Sequence, residues 1–252
     1  MRASAKYTVN GLDKAFVQGI AAKAYNDFVA QLRGAGYTVL TYNDIKDRDY
    51  VRSASRAAAD GKWGVPTESS REGNNTFIVA APSDAQQFEV GMMGVFWEFI
   101  SRGKPKFEDA TIMIPTYTIV APNLQGEKAA SYATISANVK ASADMMLLNA
   151  YAPWMGKPKV RMGGGNHPGV LRNKAITISD NVGALSAVDT TSEAGNAVSG
   201  ILGMLGGGGS IKSKTMEYTL NVDRIAYSAG ALKGIAEFNA EVAKAAASAP
   251  QP

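Results

Sequence analysis

Between Tyr132 and Leu147 the chain alternates. Ala133, Ile135, Ala137, Val139, Ala141, Ala143, Met145 and Leu147 take every second position, and Tyr132, Thr134, Ser136, Asn138, Lys140, Ser142 and Asp144 fill the gaps. A period of two is the mark of a strand with one buried face, because successive side chains point to opposite sides of a sheet. A straight strand of about 16 residues would run roughly 50 Å at about 3.3 Å per residue. Strands usually span about five or six residues. The segment therefore either bends or bulges partway, or it stands out as one arm of a long hairpin.

Other stretches carry different periods. From Asp13 to Arg33, Phe16, Ile20, Ala24, Phe28 and Leu32 recur every four residues beside Val17, Ala21 and Val29, a broad helical stripe. Asn10 or Asp13 can cap its start, and Gly34-Ala35-Gly36 can stop it. Tyr37 to Thr41 then reads as a strand. Asn43 or Asp44 is expected to cap a second, polar helix reaching about Ala59. Residues 60–75 read as loop, Thr76 to Ala81 as a short strand, and Gln87 to Arg102 is open between helix and loop because Gly91 and Gly94 interrupt its apolar residues. Thr111 to Ala121 and Leu171 to Asp180 read as strands, with a loop at Pro122 to Gly126 between the first and the alternating segment. Thr215 to Tyr227 alternates again, with Met216, Tyr218, Leu220 and Val222 on one face. Ala229 to Ala247 reads as a helix with its stripe on Leu232, Ile235, Ala236, Phe238 and Val242. No internal repeat is evident.

Composition removes several kinds of chemistry. Among 252 residues there is no Cys and one His. Disulfide scaffolds, Cys-based zinc sites, iron–sulfur clusters, thiol nucleophiles and multi-His metal sites are thereby excluded. An apolar share of 46% supplies a core and argues against wholesale disorder. Net charge is +4, and the densest basic stretches are only Lys104 with Lys106, and Lys157, Lys159 and Arg161. Without a basic stripe carrying interleaved aromatics, nucleic-acid binding is not expected. No apolar run is long enough for a transmembrane helix. Met1 to Lys6 has no apolar core for a signal peptide, so the chain is expected to be cytoplasmic, or periplasmic or extracellular if an export signal has been removed. Lack of Cys leans toward the second.

Candidate motifs are weak when tested one by one. His167, in Gly163-Gly164-Gly165-Asn166-His167-Pro168-Gly169, could act as a general base, but no Gly-x-Ser-x-Gly elbow accompanies it. Asp44, Asp47 and Asp49 lack the Gly and terminal Glu of a calcium loop, and Lys46 and Arg48 interleave them. Gly34-Ala35-Gly36 follows a helix and precedes a strand, the reverse of a dinucleotide-binding turn. Gly206 to Gly209 lacks the Gly-Lys-Ser/Thr adjacency of a phosphate loop. Glu68, Glu72, Glu89, Glu98, Glu108 and Asp109 supply carboxylates that nothing pairs. Trp63, Trp97 and Trp154 could stack on sugars, although Trp97 suits a core. No cofactor or metal is expected.

One segment combines apolar side chains with flexible flanks: Gly195 to Leu205, followed by four Gly. It reads as a short apolar helix that packs on a partner or touches a membrane surface, or as tight packing of small residues. No Lys or Arg lines a polar face there, which disfavours the membrane surface. Ile201, Leu202, Met204 and Leu205 are the candidate partner-binding residues.

The order of elements resembles the periplasmic domains of the curli secretion channel CsgG, the lipoprotein LpoB and the amino-terminal domain of TolB. The residues that carry the likeness are Leu32-Arg33-Gly34-Ala35-Gly36-Tyr37-Thr38-Val39-Leu40, then Asp109 to Thr118, then Val139 to Leu147. The family opens with an apolar strand, for which only Tyr7-Thr8-Val9 could serve, and its lipidation Cys is missing. The resemblance implies an envelope protein that works by assembly or binding, with no catalytic residues to carry over. In the CsgG branch hairpins from many subunits close a membrane barrel. The alternating segment would suit that only with a partner strand of similar length, and Thr111 to Ala121 is short and holds Pro115; no membrane barrel is expected.

The sequence thus predicts an α+β chain: a single domain over 1–252, with a mixed sheet of about five strands, helices on one face and one long curved β-hairpin. A Gly-rich insertion is expected at about 190–214 and a short tail at 248–252. The expected function is a non-enzymatic cell-envelope protein that binds protein partners or forms a homo-oligomer. Two alternatives stand beside it: an envelope-polymer hydrolase with its site near His167, and a structural subunit of a ring or filament.

Overall fold

A computed structural model describes residues 4–54, 56, 62–65, 75–88, 111–130, 134–155, 169–172, 176–179, 181–191, 210–212 and 215–248. The chain is α+β. In order the elements are β1 (Ser4–Asn10), α1 (Lys14–Gly34), α2 (Tyr42–Ile45), α3 (Asp49–Arg52), β2 (Lys62–Val65), β3 (Asn75–Ile78), β4 (Ile112–Met113), β5 (Thr116–Val120), β6 (Asn123–Ala130), β7 (Thr134–Ser142), β8 (Met145–Met155), β9 (Gly169–Arg172), β10 (Ile176–Ser179), β11 (Gly183–Asp189), β12 (Ser210–Lys212), β13 (Thr215–Val222) and α4 (Arg224–Ala247). In place of one sheet of about five strands there are four among the described residues: β1-β13-β11, β12-β7-β6, β2-β3, and a sheet in which β8 pairs with β4, β5, β9 and β10. These elements gather into two compact units. One holds Met1–Gly11, Ile119–Met146 and Ile176–Gly230; the other holds Leu12–Thr118, Leu147–Ala175 and Ala231–Pro252.

In the first unit β1 and β13 run parallel and β11 joins β13 antiparallel. Burial alternates along β13: Tyr218 and Leu220 are buried, Met216 and Val222 half-buried, and Glu217 and Asn221 exposed. That is the face read from the sequence. The β12-β7-β6 sheet supplies cover, and the Tyr218 hydroxyl donates to the Val139 carbonyl of β7. The strand predicted to run to Tyr227 stops at Val222, because Asp223 caps α4. Its Oδ1 accepts from the backbone N–H groups of Ile225 and Ala226 at 2.8 and 3.1 Å.

The long alternation resolves into two strands. β7 ends at Ser142 and β8 begins at Met145; between them Ser142 Oγ donates to Asp144 Oδ2 at 2.6 Å, and the Ala143 carbonyl accepts from Val182 N at 2.8 Å. The polar pair turns the chain where a straight strand would have overshot. β7 also has a partner of similar length, contrary to expectation. β6 occupies the stretch read as a loop and pairs antiparallel with β7, from Asn123 opposite Ser142 to Ala130 opposite Ile135. Asn-Leu-Gln-Gly looks like a turn by composition, yet cross-strand pairing overrides so weak a preference.

In the second unit α1 forms as expected. Asp13 Oδ1 accepts from Phe16 N at 2.7 Å, and Ile20, Ala24, Phe28, Val29 and Leu32 are buried. Tyr37 to Thr41 is not a strand. Tyr37 N bonds the Leu32 carbonyl at 3.1 Å, and the Tyr37 hydroxyl donates to the Ala246 carbonyl at 2.6 Å. The segment is held by helix ends, not by a sheet. The second helix shrinks to two single turns, α2 and α3, and its cap is Thr41, whose N–H and hydroxyl both donate to Asp44 Oδ2 at 2.7 Å. Those bonds hold the Asp44 carboxyl below its usual range. Thr111 to Ala121 breaks into β4 and β5 around Ile114-Pro115, since Pro cannot donate to a ladder. Of the predicted strand Leu171 to Asp180, the described residues 171–172 lie in β9 and 176–179 in β10, the latter counted with the first unit.

A buried polar group ties this unit together. Asn239 of α4 is fully buried. Its Oδ1 accepts from the Tyr117 hydroxyl of β5 at 2.5 Å, and its Nδ2 donates to Asp27 Oδ2 at 2.8 Å and to the Ala24 carbonyl of α1 at 3.4 Å. The Tyr117 ring stands edge-on to Phe238, 5.9 Å between centroids. Nearby in sequence to α3, Arg56 donates Nε to the Ala85 carbonyl at 2.8 Å and lies 4.2 Å over the Phe88 ring.

Candidate assembly surface

The absence of an internal repeat, expected from the sequence, does not hold. β1 reads Lys6-Tyr7-Thr8-Val9-Asn10 and β13 reads Glu217-Tyr218-Thr219-Leu220-Asn221. The parallel register sets each residue opposite its equivalent: Lys6 by Glu217, Tyr7 by Tyr218, Thr8 by Thr219, Val9 by Leu220, Asn10 by Asn221. Asp13-Lys14 follows the first copy and Asp223-Arg224 the second, and each Asp caps a helix. The repeat escapes a sequence reading because its copies are short and differ by one residue in the spacer before the Asp. Only the register exposes it.

The register also builds an outer face, exposed at every position but the half-buried Thr219. Three rows cross the sheet: Asn10, Asn221 and Ala184; Thr8, Thr219 and Ser186; Lys6, Glu217 and Val188. Asn10 Nδ2 donates to Asn221 Oδ1 at 3.0 Å, and Lys6 Nζ lies 3.8 Å from Glu217 Oε1. Both charges are well exposed, so the pair contributes little to stability. What the two strands gain is registration, because the Lys/Glu exchange favours β1 beside β13 over two identical strands side by side. Among the described residues β1 and β11 are the edges of this sheet. β11 was not anticipated. Its run Gly183-Ala184-Leu185-Ser186-Ala187-Val188-Asp189 lacks aromatics, and only Val188 gives a strand signal. It is positioned by Asn181, which takes φ 52° and accepts from Gly183 N through Oδ1 at 3.1 Å.

β11 is a poorly protected edge. It holds no Lys, Arg or Pro, and Val188 is 60% exposed. Natural edges normally carry such blocking residues, because unpaired N–H and C=O groups invite another strand. Buried tyrosines underlie the same unit. Burial pushes the Tyr227 hydroxyl up to about 12 and raises Tyr7 as well. A phenol raised in the folded state adds stability that is complete below the unfolded value near 10 and lost as pH rises through about 12. Absorbance titration of the ten tyrosines should show a late phase for Tyr227, with unfolding by urea growing easier above about pH 10.

Elsewhere, the second unit has a shallow groove of about 560 Å³ between the C-terminal ends of its helices, lined by Ala30, Gln31, Gly34, Ala243 and Lys244 among others. It is open, and its walls are small side chains, unlike the enclosed apolar clefts with convergent polar groups that bind small molecules. Ile201, Leu202, Met204 and Leu205 lie outside the described residues, as do His167, Trp97, the Gly206 to Gly209 run and the carboxylates Glu68, Glu72, Glu89, Glu98, Glu108 and Asp109. Trp63 falls in β2 and Trp154 in β8. Asp44, Asp47 and Asp49 do not converge; Asp49 pairs with Arg52 at 2.6 Å. Among the described residues no group of three His, Cys, Asp or Glu could hold a metal, and no helix is long and apolar enough to cross a membrane.

Comparisons with protein-family models, with curated proteins and with solved structures find no match.

Proposed function

We propose that this protein acts without catalysis, by binding protein partners or assembling with itself, and that it does so in the cell envelope. The observation that carries the reading is the β1-β13-β11 sheet, whose strand β11 has no Lys, Arg or Pro and a single charge, Asp189, at its end. The complete lack of Cys in 252 residues supports an oxidising compartment. The apolar residues Ile201, Leu202, Met204 and Leu205 are a second candidate contact within the same reading.

Two measurements test it. Purified protein incubated with peptidoglycan and other envelope polymers is expected to release no soluble fragments; release that disappears in a His167→Ala variant would establish the hydrolase instead. Deleting 195–209 is expected to abolish self-association or partner binding while leaving the far-UV circular dichroism of the rest unchanged. An unchanged mass by light scattering, with partner binding intact, would remove the Gly-rich segment as a contact.

A further inference from the structure

The repeat makes the sheet self-complementary. β11 pairs antiparallel with the Glu-Tyr-Thr-Leu-Asn run of β13, Val188 opposite Glu217, Ser186 opposite Thr219 and Ala184 opposite Asn221. β1 carries nearly the same run, Lys-Tyr-Thr-Val-Asn, at the other edge of the sheet. We infer that the β11 edge of one copy pairs antiparallel with the β1 edge of a second copy, head to tail, extending the sheet from molecule to molecule. This rests on the binding reading above and names its partner.

Applying the β11–β13 register to the β1 run of the neighbour fixes the contacts. Val188 would face the neighbour's Lys6, Ser186 its Thr8 and Ala184 its Asn10 on the polar side; Leu185 would face Val9 and Ala187 would face Tyr7 on the inner side. Every pair keeps the polar and apolar faces of the two sheets aligned, as a period of two demands. Ala187, exposed in a single chain, and Leu185, half-buried there, gain apolar cover. Asp189, the one charged side chain of β11, would lie opposite the neighbour's Ala5 on the inner side, on the face away from Lys6. Because the two edges differ, the contact is heterologous, and repeated it gives a ring or a filament rather than a closed pair.

Light scattering and negative-stain electron microscopy of the full chain test this, using Val188→Lys and the double variant Lys6→Glu/Val188→Lys. Val188 is exposed and lies opposite Glu217 of its own chain, so V188K leaves the fold intact, as circular dichroism will check. The wild-type chain should exceed a dimer in mass. V188K sets Lys against Lys and should lower the association constant about tenfold or more. The double variant sets Lys against Glu across the contact and should restore assembly; because it also sets a Glu at position 6 beside Glu217 of its own chain, circular dichroism and urea unfolding check that it folds as the wild type does. A monomeric wild type overturns the head-to-tail contact, as does a closed dimer, or assembly that the folded double variant fails to recover. None of these touches the non-enzymatic reading, which the polymer-release assay decides separately.

Discussion

Replacing Asn239 with leucine should lower unfolding free energy by about 3 kcal/mol. The leucine keeps the branched shape of the side chain but brings no donor or acceptor. The Tyr117 hydroxyl, held at 2.5 Å by the amide oxygen, loses its acceptor, and Asp27 loses the donor at 2.8 Å. Each polar group stranded away from water costs about 1–3 kcal/mol, much more than the net gain from one satisfied bond. Burial already raises the Tyr117 phenol above its ordinary value, so ionisation offers it no escape at neutral pH. Tyr117→Phe removes one of the stranded groups. Alone it should cost about 1 kcal/mol; in the Asn239→Leu background it should instead recover about 1 kcal/mol, a coupling of roughly 2 kcal/mol in a double-mutant cycle. Urea unfolding of the four proteins measures it. Additive losses would mean that the two side chains do not depend on each other.

The second large effect concerns a glycine. A Cβ on Gly183 would fall inside the contact radius of the Asn221 carbonyl oxygen and lie 3.0 Å from both the Asn221 carbonyl carbon and Val222 Cα. These atoms are backbone of the paired strand and cannot swing away as a side chain would. Gly183→Ala should therefore cost about 2 kcal/mol or more, within the range for overpacking. Amide exchange of β13 should quicken along with it. Gly19, exposed on α1 with nothing within 4 Å of a built Cβ, is the contrast. There alanine should stabilise the helix by about 0.5–1 kcal/mol. A neutral Gly183→Ala would contradict the close approach of β11 to β13.

What could be read in the sequence follows from how local the cause is. The stripe from Phe16 to Leu32 and the cap at Asp13 need only neighbours within one turn, and α1 forms where they place it. The inner face of β13 follows from alternation alone. The fold class, α+β, needs no more than a count of periods. Whatever depended on a distant partner was lost. Tyr37 to Thr41 has strand composition, but Tyr37 bonds the end of α4, 209 residues away. β6 has loop composition and is a strand because β7 lies beside it. The break after Ser142 is set by Asp144 and Val182, neither of which disturbs the alternation. The candidate surface was the least legible. The four apolar residues from Ile201 to Leu205 stood out by composition, whereas β11, made of small residues, matters through the strand it adjoins.

The pairing of β1 with β13 also governs the order in which the chain can fold as it is made. Asn10 and its partner Asn221 are separated by 211 residues. At about 5–20 residues per second, the ribosome needs roughly 10 to 40 s to deliver the second strand after the first. Throughout that interval the β1 segment lacks the strand it pairs with. On a polysome carrying many chains, the β1 segments of neighbouring nascent chains would meet with Lys6 facing Lys6. The Glu217-bearing copy sets Glu there instead, so the single charge exchange within the repeat favours the correct partner once it exists.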